Sequence, residues 1–329
     1  MRLAVLGLGF MGATHVRALR GIAGVELAAV FSGDEQKLAG DLTGVRGNLG
    51  ATAGRMDFSA VRKYRDLDDA IADRSIDAVD ICLPTYLHDS VAIEALRASK
   101  HVLVEKPMAL DGFSADRMLN AARKYGRVLM TAQVLRFFPE YAALRAAVRG
   151  QSLRFAAFRR NCAAPAWAGW LADPAQSGGG AFDLLIHDVD FCLHLFGKPK
   201  SVAAAGYSAD WIAAHLLYAD GAVVAIEGGW RQMGDYPFAM EYSVTLENAT
   251  IEYSSHGRPP IVYTASRTGL LACPPQDGYT AEIEYFAECC RTGQSPELCP
   301  PADSAAAVKL LRLILESRNR HGAKLLCTI

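Results

Sequence analysis

Three groups of residues in this chain have types and spacings that could do chemistry. Near the start, Gly7, Gly9 and Gly12 stand in the order G-x-G-x-x-G, with Phe10 and Met11 inside the pattern. Gly7 permits a tight turn off a strand, Gly9 removes a side chain where backbone must approach a pyrophosphate, and Gly12 lets the following helix pack closely on the strand. The N-terminus of that helix then offers N–H groups and a partial positive charge to phosphates. Further on, Lys106 closes an apolar run and is followed by Pro107. An ammonium at the carboxyl edge of a parallel strand can hydrogen-bond a substrate hydroxyl and favour its alkoxide as hydride leaves. The alternative is a solvated lysine at a strand end. Third, Asp183 and His187 are four apart behind Gly178, Gly179 and Gly180. On a helix they share one face, where a carboxylate orients an imidazole and makes it a competent base near neutral pH. The alternative is a buried histidine with its hydrogen bonds satisfied. His187, Asp183 and Asp190 are also oxygen and nitrogen donors of the kind metals use, but nicotinamide chemistry requires no metal, and none is expected.

The elements that must position these groups follow from the pattern of apolar runs. Residues 2–6 read as a buried strand and 13–19 as a helix, the context a dinucleotide turn needs. Residues 25–31 form the second strand. About twenty residues past such glycines an acidic side chain commonly binds the ribose hydroxyls of NAD; here the place is held by Ser32, followed by Gly33 and Asp34. Serine leaves room for a 2′-phosphate, so the reading leans to NADP. Asp34 either reaches a ribose or caps a helix beginning near Glu35. Residues 43–58, rich in glycine, read as a loop insertion. A helix start at 66–69, a strand at 78–83, a loop at 84–88, a helix over 91–96, a strand at 101–104, a helix through 117–125 and a strand at 128–131 complete an alternation of strands and helices. That is the period of a doubly wound parallel sheet. Pro107 restricts the backbone at Lys106 and admits a cis bond there.

Past this point strands dominate: 153–159, 201–207, 212–218, 222–228, 241–246 and 250–253, with turn signals at Asp220-Gly221 and Glu247-Asn248. A helix over 139–149 leads in, and amphipathic helices over 279–291 and 302–318 close the chain. The expectation is α/β: a Rossmann domain over 1–122 and an α+β domain over 123–329, its large sheet mostly antiparallel and open on one face.

Size and charge narrow the function classes. The 329 residues suffice for two domains with cores of their own. With 51% hydrophobic and 21% charged residues and a formal net charge of −1, no basic tract marks a nucleic-acid or membrane-surface partner. No apolar stretch reaches bilayer length. The eight cysteines lack a C-x-x-C pair or regular spacing, which points to reduced thiols. The N-terminal run contains three glycines before His15 and Arg17 and has no clean small-x-small end, so it reads as a mature cytoplasmic start rather than a secretory signal. Among the other histidines, His88 either lines the cofactor cleft or starts a helix, while His101, His194 and His215 read as structural. Trp167 and Trp170 either wall a substrate pocket or fill a core.

Taken together, Gly7-x-Gly9-x-x-Gly12, Pro84-x-x-x-His88, Glu105-Lys106-Pro107 and Gly178-Gly179 leading to Asp183-x-x-x-His187-x-x-Asp190 resemble the Gfo/Idh/MocA family, the enzymes like glucose–fructose oxidoreductase and inositol dehydrogenase. The resemblance runs along nearly the whole chain. It implies NAD(P)-dependent oxidation or reduction of a sugar, polyol or similar hydroxyl compound, and a homodimer or homotetramer formed through the C-terminal sheet. Carried over by position, Lys106 anchors the reacting hydroxyl, His187 exchanges its proton and Asp183 partners His187. Arg136 matches a stretch near the substrate pocket, to which Trp167 is added. The cofactor set implied is Gly7, Gly9, Phe10, Met11, Gly12, Ser32, Leu83, Pro84, His88, Glu105 and Lys106. Ser32 and the 43–58 insertion depart from the family pattern. Two other readings remain: a glycosidase using tightly held NAD for redox-assisted cleavage, and a non-catalytic regulator that binds cofactor.

Overall fold

In the computed structural model, which describes residues 1–47, 54–165, 169–231, 234 and 236–329, the short apolar runs of the first third form one parallel sheet. Its strands are β1 (Arg2–Leu6), β2 (Glu26–Phe31), β3 (Arg62–Tyr64), β4 (Ala78–Ile81), β5 (His101–Glu105) and β6 (Leu129–Ala132), in the order β3-β2-β1-β4-β5-β6. Neighbours pair in parallel throughout. Leu3 to Leu6, Val79 and Val102 to Val104 are wholly buried, which is why these strands show no polar alternation: helices cover both faces. The edge strand β3 is only three residues, with Arg62 and Lys63 exposed, a short charged edge that discourages pairing with another chain. Asp34, Asp66 and Asp111 start the helices Glu35–Leu38, Leu67–Ala72 and Gly112–Tyr125 by accepting first-turn N–H groups. The strand order reverses between β1 and β4, so the carboxyl ends at Leu6 and Ile81 flank the crevice where open α/β sheets take ligands.

The first unit comprises Met1–Val134 and Asp277–Ala305; the second comprises Leu135–Gln276 and Ala306–Ile329. This differs from a single boundary at 122/123 in two ways. Strand β6 completes the parallel sheet beyond that point, and the helix Gly278–Thr292 returns to pack on the helix Phe10–Ala18. An amphipathic pattern tells that a helix has a buried face, not which core it covers. The 43–58 insertion lies partly outside the described residues. Of its described part, Val45, Met56 and Phe58 are buried, so it adds side chains to the core.

The second unit carries β7 (Leu153–Ala163), β8 (Ser201–Ser208), β9 (Trp211–Leu217), β10 (Val223–Arg231), β11 (Ala239–Leu246), β12 (Ala249–Ser254), β13 (Arg258–Thr264), β14 (Thr268–Leu270) and β15 (Leu325–Leu326). They form one nine-stranded sheet, β14-β13-β12-β11-β7-β10-β9-β8-β15. It is antiparallel except where β7 and β10 run together. Along β9 exposed Trp211, Ala213 and His215 alternate with buried Ile212, Ala214 and Leu216, the mark of a sheet packed on one face. On that face Tyr141 of the helix Pro139–Val148 meets Tyr242 and Tyr253 edge-on at 5.4 and 6.0 Å. Among the described residues, no helix is long and apolar enough to cross a membrane.

Candidate functional site

The glycine turn after β1 is sterically closed at two of its glycines and open at the third. Gly7 has φ +104°, and a Cβ there would lie 2.5 Å from the Cys82 carbonyl oxygen. At Gly12 a Cβ would lie 1.8 Å from the carbonyl oxygen of Gly7 itself. Around Gly9, by contrast, no described atom beyond its own chain neighbours lies within 4 Å of that position. The helix Phe10–Ala18 begins on Gly9 with no capping side chain and no acidic residue in its first turn. Free N–H groups at a helix start beside open space are what a pyrophosphate needs, so the residues fit a dinucleotide. Phe10 and Met11 are part-exposed, and Gly47 of the insertion packs so closely on the Phe10 ring that a Cβ would lie 2.2 Å from it.

At the end of β2, Ser32 is buried and its Oγ accepts the Asp34 N–H at 3.1 Å. Asp34 Oδ1 in turn accepts from Gln36 N at 2.9 Å and Lys37 N at 3.3 Å. Of the two uses open to Asp34, the structure shows the cap.

The segments following β4 and β5 are tied together. His88 is almost fully buried and stands between two carbonyl oxygens, with Nδ1 2.8 Å from Pro107 O and Nε2 2.8 Å from Leu83 O. Burial pushes its pKa below the usual histidine value. It therefore staples two loops and does not line the cleft; Leu83 and Pro84 keep partial exposure. Lys106 is the one residue between 102 and 109 that is not buried, and the Lys106-Pro107 bond is cis. Its backbone N–H donates to Glu105 Oε2 at 2.9 Å. Beneath it, fully buried His15 has Nδ1 2.8 Å from Asp80 Oδ2 and Nε2 3.2 Å from Glu105 Oε1. Burial opposes a charge on this ring, but the Asp80 carboxylate outweighs it and holds the His15 pKa well above the ordinary value. The sequence reading missed His15 and Asp80. Their signal was a histidine on the buried face of the first helix and an aspartate inside the apolar run 78–83.

In the second unit the glycine triplet docks on the β8–β9 turn. Gly178 and Gly179 have φ near +75°, at +77° and +73°. Gly180 N donates to Asp210 Oδ1 at 3.0 Å, and a Cβ on Gly180 would lie 2.7 Å from the Asp210 carbonyl oxygen. The chain then makes a π-helical turn, Ala181–Leu185, before the helix Ile186–Phe196. Regular α spacing between Asp183 and His187 is thus replaced by a wider turn, a distortion frequent at functional sites. From 181 to 193 every residue is buried except these two. Trp230 Nε1 donates to Asp183 Oδ2 at 3.0 Å, a partner from β10 that no local pattern announces.

Arg136, expected near substrate, pairs with an acidic side chain of its own unit. It is fully buried and donates through Nε and Nη2 to the two oxygens of Asp190, at 2.8 and 2.7 Å. Its Nη1 lies 3.2 Å from His194 Nδ1. Such a bidentate pair makes Arg136 a structural cation of the second unit. Arg160 is held in the same way, with Nε and Nη2 3.0 and 3.1 Å from the two oxygens of Asp188. Trp167 lies outside the described residues, Trp170 is half-buried, and His101 Nδ1 accepts Val128 N at 3.0 Å as a structural residue would.

Comparison with known proteins agrees with this architecture. Residues 1–133 match the oxidoreductase family with an NAD-binding Rossmann fold, and residues 142–252 match the GFO/IDH/MocA C-terminal domain. The chain is 25% identical to a myo-inositol 2-dehydrogenase of Thermotoga maritima, over 95% of this chain and 94% of that one. It is 28% identical to an NADP-dependent scyllo-inositol 2-dehydrogenase of Bacillus subtilis, over 63% and 62%. A solved levoglucosan dehydrogenase in complex with NADH and levoglucosan shares the fold, with TM-score 0.86 at 19% identity over the full length of both chains.

Proposed function

Because the chain belongs to the Gfo/Idh/MocA family of oxidoreductases, we propose that it is an NAD(P)-dependent dehydrogenase moving a hydride between the nicotinamide and a hydroxyl-bearing carbon of a sugar or polyol. The observation that carries this reading is the glycine turn, packed shut at Gly7 and Gly12 and open at Gly9 above an uncapped helix. Gly7, Gly9, Phe10, Met11 and Gly12 would hold the pyrophosphate side, with Leu83, Pro84 and Glu105 beside the nicotinamide. When bound, that ring supplies the hydride acceptor.

The rest of the chemistry falls to this chain's own side chains. The Lys106 ammonium donates a hydrogen bond to the reacting oxygen and stabilises negative charge there as the C–H bond breaks. The hydroxyl proton passes to a ring nitrogen of His187, and Asp183, held by Trp230, steadies the charge that forms. In reduction each transfer reverses. Ser32 stands where an acid would meet a 2′-hydroxyl, and the Asp34 carboxylate is engaged as a helix cap; both features support NADP over NAD. The open face of the nine-stranded sheet, with Phe155 44% and Trp211 42% exposed, supports a homodimer or homotetramer through that face, and the reading includes a cytoplasmic setting.

The test begins with titration of purified protein with NAD(H) and NADP(H), followed by inositols and sugars as substrates. Lys106→Ala and His187→Ala should each lower kcat about 10²-fold or more, as lost acid–base or electrostatic help does. Near-normal rates in both variants would sink the assignment. Cleavage of a glycoside without net change in nicotinamide absorbance would replace it with redox-assisted hydrolysis.

A further inference from the structure

We propose that His15 is a positioning residue for Lys106: as an imidazolium held between Asp80 and Glu105, it fixes the Glu105 carboxylate that grips the Lys106 backbone. The proposal rests on the reading of Lys106 as the substrate-binding cation.

The geometry comes first. One edge of the ring meets Asp80 Oδ2 at 2.8 Å and the other meets Glu105 Oε1 at 3.2 Å. The Nδ1 contact is a hydrogen bond, whereas the Nε2 contact is an ion pair by distance without hydrogen-bond alignment; two carboxylates set against one buried ring favour its charged form. Glu105 has its second oxygen, Oε2, on Lys106 N at 2.9 Å, which leaves that oxygen to accept and not to carry a proton. The chain of contacts therefore runs from Asp80 through His15 and Glu105 to the peptide N–H of Lys106. Among the described residues, the other titratable groups set near the ring are a thiol, a phenol and an acid. Cys82 Sγ lies 3.6 Å from His15 Nδ1 and 3.5 Å from Asp80 Oδ1, and burial pushes its thiol well above the usual range, so it stays neutral. Tyr279 stands 6.1 Å away, ring to ring, on the helix Gly278–Thr292, which also buries Glu282.

Burying three charged groups in this way is weak evidence of a stabilising design. It is better understood through what hangs on it. Glu105 is the last residue of β5, and its side chain folds back onto the next peptide. Without a cation beneath, that carboxylate would be left to turn to solvent, and the lysine after it would lose its anchor. A displacement of about 1 Å in a positioning contact can cost about 10²-fold in rate.

The experiment uses the full chain with cofactor bound. His15→Gln keeps a donor but no charge; Asp80→Asn is the isosteric second variant should the first fail to fold. Each should leave nucleotide affinity within about threefold and lower kcat about tenfold or more. Asp80→Asn should also move the alkaline limb of the kcat profile to lower pH, which a merely structural aspartate would not do. Independently of turnover, imidazole NMR should find His15 doubly protonated at pH 8. A neutral ring at pH 8 overturns the proposal, as does a kcat within twofold of the parent in both variants. A stoichiometric metal ion bound by His15, Asp80 and Cys82, whose donor atoms lie within 4.8 Å of one another, overturns it too. Failure of the parent reading looks different: Lys106→Ala would then be silent while the NMR result stands.

Discussion

Each unit sets a histidine against charged side chains, and the two, one buried and one half-buried, sit in opposite electrostatic settings. His15, in the first unit, lies between the carboxylates of Asp80 and Glu105, and the Asp80 charge raises its pKa well above the ordinary value against the opposing effect of burial. His194, in the second, faces the Arg136 guanidinium at 3.2 Å; burial first, then Arg136 and Arg145, push its pKa down to about 3. The same side chain is thus pushed towards its charged form in one place and towards its neutral form in the other. The difference follows from what each unit has to hold. The parallel sheet brings Asp80 of β4 and Glu105 of β5 against the same ring of the first helix. The second unit instead joins its helix Ile186–Phe196 to strands and loops through buried arginines on Asp188 and Asp190, so a histidine beside them must stay neutral.

The comparison can be broken most severely at the arginines. Arg160→Met should leave Asp188 buried with its main partner gone, at a cost of about 3–5 kcal/mol, read as a lower denaturant midpoint. Adding Asp188→Leu should restore most of the loss, because a buried pair replaced by packed apolar groups is often close to neutral. If the single variant is nearly silent, the second unit does not depend on its ion pairs and the contrast fails.

The glycine turn offers the next largest effect and separates packing from binding. Gly12→Ala places a methyl 1.8 Å from the Gly7 carbonyl oxygen and should cost about 1–3 kcal/mol, as overpacking does, along with nucleotide affinity. Gly9→Ala meets no described atom beyond its own chain neighbours; it should keep the melting temperature nearly unchanged while nucleotide affinity falls at least about tenfold. Equal losses of stability in both would mean that the open space at Gly9 is not kept for a phosphate.

The opposite settings of the histidines also predict opposite pH dependence. An unfolded histidine titrates near 6.5. His194, depressed to about 3, contributes stability fully above pH 6.5 and loses it as pH falls towards 3, since the unfolded chain then binds the extra proton. His15, raised, contributes fully below pH 6.5 and loses that contribution as pH rises through its folded value. His194→Gln should therefore flatten the acid side of a plot of stability against pH, and His15→Gln the alkaline side. Acid unfolding that His194→Gln leaves unchanged would show that the arginine setting does not govern this ring.

How much of this was legible in the sequence depends on how far the partners lie along the chain. The glycine turn was readable because strand, turn and helix are contiguous, and each glycine's task is set by neighbours within a few residues, apart from the Cys82 carbonyl. The doubly wound parallel sheet followed from alternation; its order, β3-β2-β1-β4-β5-β6, did not, and charged three-residue β3 showed no apolar run. Strand β13 was hidden by Pro259 and Pro260, which sit at an irregularity of the ladder with β12, one of the places where a sheet tolerates proline. The ion pair of Arg136 was not legible because its local stretch says nothing of Asp190, 54 residues away. The Asp183–His187 pair was legible as a spacing, but the π-helical turn and Trp230 were not, since both depend on β8 to β10 packing against the glycines. His15, Asp80 and Glu105 meet across three separate elements, and no single window contains them.

The smallest effect concerns Asp34, where the sequence left a choice between ribose ligand and helix cap. Its carboxylate accepts two N–H groups of the helix Glu35–Leu38, and a lost cap costs about 0.5–2 kcal/mol. With only four residues in that helix, Asp34→Ala should fall at the low end by denaturant titration. If capping is its whole task, the ratio of NAD to NADP affinity should move less than about twofold. A collapse of NAD affinity alone would make Asp34 the ribose partner despite its cap. The side chain would then have to leave the helix N-terminus when nucleotide binds, and the preference for NADP drawn from Ser32 would fall with it.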